Sequence, residues 1–331
     1  MALGGTARGG TGYLRRVVPG TVVAVVIAAF AGAAGGDEPA RTRKTSPPGE
    51  LRIVFVGYVM LDNGPGHAVA SGRDPFAACA EILLDADFTV GNLECVLGKG
   101  GEQVLKPYSF RGAGDSPRFL GRYFSLLGVA NNHAMDFGPA GLVEHLAVLD
   151  RARLPHVGGG ATLATARRPF VLAKDGFTVA LIACNAFQAE RSAATDDSPG
   201  VNPLREDALL ADIAAARRRA DAVVVMPHWG PELVAQPYAS QRKLARRMVE
   251  AGASAVIGAH PHVSQTVDVH HGAPIVYSLG NFVFDYYPAD PPEWTGWVAR
   301  LSFAKGRPVD VETRSVVLDA AGLPRPLEEE E

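Results

Sequence analysis

Short apolar runs separated by glycine-rich or polar turns and by amphipathic stretches dominate the chain from Leu51 onward. LRIVFVG (Leu51–Gly57) reads as a buried strand, followed after a loop by a helical stretch around Pro75–Ala86. Phe88–Gly91 and Ser125–Ala130 read as further strands, the second followed by a helix around Pro139–Arg153. Phe170–Lys174 and Phe177–Cys184 flank Asp175-Gly176, a dipeptide that strongly favours a tight hairpin. Leu204–Ala220 and Ser240–Ala251 have helical character, and the runs Ala222–Pro227 and Ser254–Gly258 are strands. Beyond Val263 only strands remain: 263–271, Ala273–Ser278, Trp297–Phe303 and Val309–Val317. Strands alternating with helices predict a largely parallel sheet covered on both faces, and the terminal strands predict antiparallel additions.

The first fifty residues have another pattern. Arg8, Arg15 and Arg16 precede an unbroken apolar stretch, Thr21–Ala34, with small residues at Ala31 and Ala33. A basic start and a short apolar stretch read as a secretory signal, with an uncleaved anchor as the competing reading. The chain then divides into a signal or anchor over 1–36, a linker rich in Pro and Gly over 37–50, one domain over 51–320 and an acidic tail over 321–331. Localisation is therefore expected to be exported, periplasmic or at the cell surface.

Composition adds limits. Of 331 residues 47% are hydrophobic, and the formal net charge is -3, which is a globular balance with no basic stripe for nucleic acid. Arg217, Arg218 and Arg219 form a short run on a helix and read as a solvated face. Cys79, Cys95 and Cys184 are widely spaced and odd in number, so they suggest small buried residues and no disulfide framework.

The chemistry lies at the strand ends. Asn92 and Glu94 come directly after Phe88–Gly91, and Asn131, Asn132, His133 and Asp136 after Ser125–Ala130. His228 comes after Ala222–Pro227, and His260 and His262 come after Ser254–Gly258 around Pro261, which fixes the backbone between them. Ligands of open α/β sheets bind outside the carboxyl ends of strands, where such loops converge. Imidazole, carboxylate and amide oxygen suit Zn, Mn or Fe ions. His133 beside Asn132 is placed to donate a proton to a leaving group or to hydrogen-bond an oxyanion. His145 and His156 read as ordinary satisfied histidines, and His270-His271 before Gly272 as a hairpin turn.

GNLE (Gly91–Glu94), ANNHAMDFG (Ala130–Gly138), HWG (His228–Gly230), GAHPHV (Gly258–Val263) and IVYSLGNFVFD (Ile275–Asp285) occur in order. Together they resemble the CapA-type capsule-synthesis family, linked to poly-gamma-glutamate synthesis and similar to the calcineurin-like metallophosphatases. The resemblance implies a four-layer α/β/β/α sandwich of the metallophosphatase type. It implies Glu94, Asn132, His228, His260 and His262 as ligands of one or more divalent ions (Mn, Zn or Fe). It also implies His133 and Asp136 in catalysis, with Asn92, Tyr58 and Asn281 near the substrate or behind the ligands. Family members usually read GDVML at the first strand, whereas this chain reads Gly57-Tyr58-Val59-Met60-Leu61, so a phenol stands where a ligand carboxylate is expected. Two functions are expected from this. One is a hydrolase of a phosphoester or polymer bond; the other is a polymer-binding scaffold within a membrane-bound capsule synthesis complex. A 5′-nucleotidase-like enzyme is weaker, since no second nucleotide-binding domain is visible in this length.

Overall fold

Alternation along the strand Glu50–Val59 sets the centre of the molecule. Leu51, Ile53 and Phe55 enter one apolar layer, while Val54 and Val56 turn to the other side. The computed structural model describes residues 42–285 and 294–327, together with a short strand at Val25–Ile27. Glu50–Val59 pairs in parallel with Phe88–Leu93, which continues through Leu126–Gly128 to His156–Val157. On its other side lie the antiparallel strands Thr295–Ala304, Asp310–Leu318 and Pro324–Pro326, and Asn281–Val283 pairs with its end.

A second sheet has a parallel centre, Phe177–Asn185, Ala222–His228, Ala255–Ile257 and Ala273–Val276. Phe170–Lys174 and Val267–His270 are antiparallel additions, and Val25–Ile27 lies at one edge. Ile53, Phe55 and Val90 of the first sheet interleave with Leu181, Val224 and Ile257 of the second. The outer face of the first sheet packs on Val69, Leu83, Phe119 and Leu149, from helices Asn63–Ala70, Ala80–Leu84, Ser116–Tyr123 and Gly138–Arg151. That of the second packs on Ile213 and Met248, from Glu206–Arg217 and Ala239–Glu250. Helix, sheet, sheet and helix make the expected four layers.

Turn chemistry matches its sequence signals. Asp175 and Gly176 have φ of 50° and 81°, and their flanking strands pair antiparallel from Lys174↔Phe177 outward. His271 and Gly272 form the same kind of turn, with φ of 49° and 78°. Elsewhere the boundaries move. Helix Asn63–Ala70 occupies a stretch read as loop, helix Ser116–Tyr123 lies where no element is expected, and the 263–271 strand shrinks to Val267–His270, because Ser264 and Gln265 bond Leu279 and Val234 across a loop. The expected acidic tail begins too early: Leu323 is buried and Pro324–Pro326 pairs with Asp310–Leu318. Part of the expected linker is also held, since Ser46 is buried against Asp87 and Lys174. The expected signal or anchor over 1–36 lies outside the described residues except for Val25–Ile27. No helix among the described residues is long and apolar enough to cross a membrane.

A bulge aims the first strand at the site. Val56 faces Gly91 while Tyr58 faces Asn92, so Gly57 is an extra residue that re-aims Tyr58 and Val59. A Cβ on Gly57 would lie 1.9 Å from the Gly280 carbonyl oxygen. Gly57→Ala is therefore expected to lower stability by at least about 2 kcal/mol in urea unfolding, because backbone, not a flexible side chain, must move. Gly176→Ala, where only the left-handed φ resists, is expected to cost about 1 kcal/mol.

The buried His145 accepts a hydrogen bond from Leu97 N at 2.9 Å, tying helix Gly138–Arg151 to the loop after Glu94. Burial lowers its pKa from 6.5 to about 3. Below pH 6.5 the unfolded chain therefore binds a proton that the folded chain refuses, and stability falls as pH drops toward 3. His145→Gln is expected to flatten the slope of unfolding free energy against pH by about 1.4 kcal/mol per pH unit in that window.

Candidate metal centre

Both sheets deliver polar side chains to one edge. Glu94 and Asn92 come from the end of Phe88–Leu93, Asn131–His133 come after Leu126–Gly128, and His228 closes Ala222–His228. His260 and His262 lie beyond Ala255–Ile257 with φ of 105° and 61°. Such angles in non-glycine residues cost about 1–3 kcal/mol each and persist only where the surroundings over-determine them. Pro261 lies between the two, and its carbonyl accepts from Leu233 N at 2.8 Å.

The group centres on His228 Nε2. Asn132 Oδ1 is 2.8 Å away, His260 Nδ1 3.1 Å and Glu94 Oε1 3.3 Å. One imidazole nitrogen carries one proton or one lone pair, so it cannot satisfy three such neighbours. Glu94 Oε1, His228 Nδ1 and His260 Nε2 are buried without hydrogen-bond partners. Burial pushes the Glu94 carboxyl up to about 8, despite the amide of Asn92 at 2.6 Å. Burial also holds His228 and His260 well below the usual imidazole range, as neutral rings. Donors around one small divalent ion with bonds of about 2.1 Å stand about 3.0–3.4 Å apart, close to the spacing here. A cation would relieve the carboxylate and engage the lone pairs of His228 Nε2 and His260 Nδ1, so the residues present fit a metal ion.

His262 stands apart from this group. Its ring stacks on Tyr58 at 3.9 Å between centroids and its Nδ1 lies 2.9 Å from Asn281 Oδ1. Burial lowers its pKa to about 3. The Tyr58 hydroxyl donates to the His260 carbonyl oxygen and lies 3.4 Å from His260 Nδ1, while its ring meets His228 and Phe284 edge-on. The phenol therefore fills the space between the two histidines of HPH. Of the five expected ligands, four come together, and the fifth packs with Tyr58 and Asn281.

His133 and Asp136 form a second constellation beside the first. His133 Nδ1 is 2.8 Å from Asp136 Oδ2, which also accepts from Phe110 N at 2.7 Å. Asn131 is fully buried and fastens this loop: its amide donates to Leu93 O and Asn92 Oδ1, and its own oxygen accepts from His133 N. Lys106 gave no signal in the sequence. Its ammonium pairs with Asp136 and donates to Asn132 O at 3.0 Å. Glu232, whose Oε1 is 4.0 Å from His260 Nε2, gave none either. Lys106 lies in a stretch without periodicity, and only its closeness to the HWG motif could have singled out Glu232.

The family described as Bacterial capsule synthesis protein PGA_cap matches residues 52–286, which contain every one of these side chains. The chain belongs to this capsule synthesis family. It is 34% identical over 270 residues to the PGA biosynthesis protein CapA of Bacillus subtilis (strain 168), covering 80% of this chain and 70% of that one. It is 30% identical over 284 residues to the capsule biosynthesis protein CapA of Bacillus anthracis, covering 82% and 68%. Among solved structures, a 5′-nucleotidase precursor from Thermus thermophilus superposes with a TM-score of 0.48 at 17% identity, over 83% of this chain and 56% of that one.

Within this member of the capsule synthesis family, Asp136 is the electrostatic anchor of the His133 loop. Asp136→Ala is expected to lower stability by about 3 kcal/mol in denaturant unfolding, since it strands Lys106 and the Phe110 N–H. Adding Lys106→Met should recover part of that loss.

Proposed function

We propose that this chain is an exported, CapA-like capsule synthesis protein whose site holds one divalent ion (Mn, Zn or Fe) and hydrolyses a phosphoester or polymer bond. The observation that carries this reading is the convergence of Glu94, Asn132, His228 and His260 around His228 Nε2, with the buried Glu94 Oε1 left without a hydrogen bond there. Those four side chains would hold the ion, with Asn92 orienting Glu94. An ion bound there supplies Lewis acidity toward a phosphoryl or carbonyl oxygen.

The rest falls to the chain's own groups. Asp136 fixes Nδ1 of His133, so Nε2 is the atom left to hold a proton for a leaving group. Lys106 balances the buried Asp136 charge and braces the Asn132 carbonyl. Tyr58, bonded to His260 and stacked on His262, keeps the space between these two histidines filled by a ring, which would limit the site to one ion. Export rests on the basic start and apolar stretch of residues 1–36. A polyanionic polymer or a phosphoester as substrate, within a membrane-bound synthesis complex, accords with relatives named for PGA and capsule biosynthesis.

Tyr58 also favours a second reading, a polymer-binding scaffold on an enzyme-like frame. Elemental analysis of the purified full chain after loading with excess Mn, Zn and Fe separates the two. One ion per chain with turnover of an aryl phosphate or phosphodiester is expected, and Tyr58→Asp should raise ion content toward two. No bound ion would leave the scaffold standing. An unchanged ion count in Tyr58→Asp would mean that the phenol is not what excludes the second ion.

A further inference from the structure

His260 turns its two ring nitrogens toward different neighbours. Nδ1 faces His228 Nε2 at 3.1 Å, within the group that fits an ion. Nε2 is buried, has no hydrogen-bond partner, and lies 4.0 Å from Glu232 Oε1. If the Nδ1 lone pair is to face an ion, the single proton of the neutral ring must sit on Nε2. A buried N–H without an acceptor is costly, and ligating histidines ordinarily give that proton to a carboxylate or carbonyl behind them. Phe187 covers the face of the His260 ring at 4.0 Å between centroids, and the ring itself is fully buried, which hinders it from turning Nε2 elsewhere.

Glu232 is suited to close that gap. Its side chain is 39% exposed, so it has room to swing the short distance to hydrogen-bond range. The neighbouring Leu233 N donates to Pro261 O, so the loop carrying the carboxylate is fastened to the His-Pro-His segment and travels with it. Charge supplies an independent reason. Around a doubly positive ion, Asn132, His228, His260 and the Tyr58 phenol are all neutral, and Glu94 alone brings a negative charge. A tyrosine at position 58 leaves the site one carboxylate short, and Glu232 sits against the nitrogen of a ligand ring, where a carboxylate polarises the ring and raises its basicity.

We propose that Glu232 is the positioning residue of the ion site: as a carboxylate it accepts a hydrogen bond from the Nε2–H of His260, which fixes the Nδ1 lone pair toward the ion, and it brings the second negative charge that the Tyr58 phenol does not. This rests on the metal-binding reading above. The test is Zn2+ affinity of the full chain by competition with a chromogenic chelator, together with the visible spectrum of the Co2+-loaded protein. Glu232→Gln is expected to weaken Zn2+ binding about 10–100-fold and to shift the Co2+ bands, with the melting of the metal-free protein unchanged. Glu232→Asp should restore most of the affinity and the spectrum. In a Tyr58→Asp background the Glu232→Gln penalty should shrink by at least about half on a logarithmic scale, because the new carboxylate supplies the missing charge.

Affinity within twofold of the parent in Glu232→Gln, with unmoved Co2+ bands, would overturn the proposal while leaving the ion site intact. His260→Ala marks that distinction, since it must abolish tight binding if the site is where it is placed here. Equal penalties in the two backgrounds would overturn the charge compensation. A parent protein that binds neither Zn2+ nor Co2+ would bring down the metal-binding reading and this inference with it.

Discussion

Glu94 is buried at the carboxyl end of a central strand, with one oxygen on the amide of Asn92 and the other 3.3 Å from a histidine nitrogen crowded by two further polar atoms. Burying a carboxylate without a cation is expensive, and the rise of its pKa to about 8 expresses that cost. Neutral imidazoles cannot repay it, because His228 and His260 are themselves too deeply buried to take up protons. This edge of the sandwich thus holds more buried polar atoms than its protons can pair. A fold keeps such frustration only where rigid surroundings leave no escape, and the surroundings here are two sheets meeting at one edge.

That rigidity has specific sources. The Gly57 bulge brings the first strand against Gly280, so the strands bearing Tyr58 and Asn281 approach more closely than any side chain at position 57 would allow. The second sheet contributes the strained His-Pro-His segment, held from below by strand Ala255–Ile257 and from the side by Leu233. His133 is fixed separately, through Asp136, Lys106 and Asn131. The group around His228 and the His133 loop are therefore braced by different elements, joined at Asn132, whose side chain faces His228 while its carbonyl accepts from Lys106.

Much of this was readable from residues alone, for a definite reason. Strand cores such as Ile53, Phe55, Val224 and Val225 are continuous apolar runs, and Asp175-Gly176 dictates its own turn. The polar residues that gather at this edge come immediately after those runs, so locating the strands located that group. Helices Asn63–Ala70 and Ser116–Tyr123 were not legible: each is only eight residues long and contains glycine and proline that read as loop. Their helicity comes from packing Val69 and Phe119 against the first sheet, which is a tertiary effect. Lys106 and Glu232 were illegible for another reason. A charged side chain in a loop carries no periodic signal, and its role is set by where the loop is pinned, here by Phe110 N on Asp136 and Leu233 N on Pro261.

The separation of His262 from the other expected ligands has the same physical origin. With an aspartate at position 58, a second carboxylate would be buried beside Glu94, and two such charges in one dry pocket oppose each other unless more than one cation lies between them. A tyrosine removes that demand. Its ring stacks on His262 and meets Phe284, so this place is stabilised by aromatic contact, and its hydroxyl finds an acceptor in the His260 carbonyl. His262, with Asn281 on Nδ1, then becomes part of the wall of the site. With a phenol at position 58, Glu94 is the carboxylate buried against His228, at the point where the crowding around His228 Nε2 is greatest.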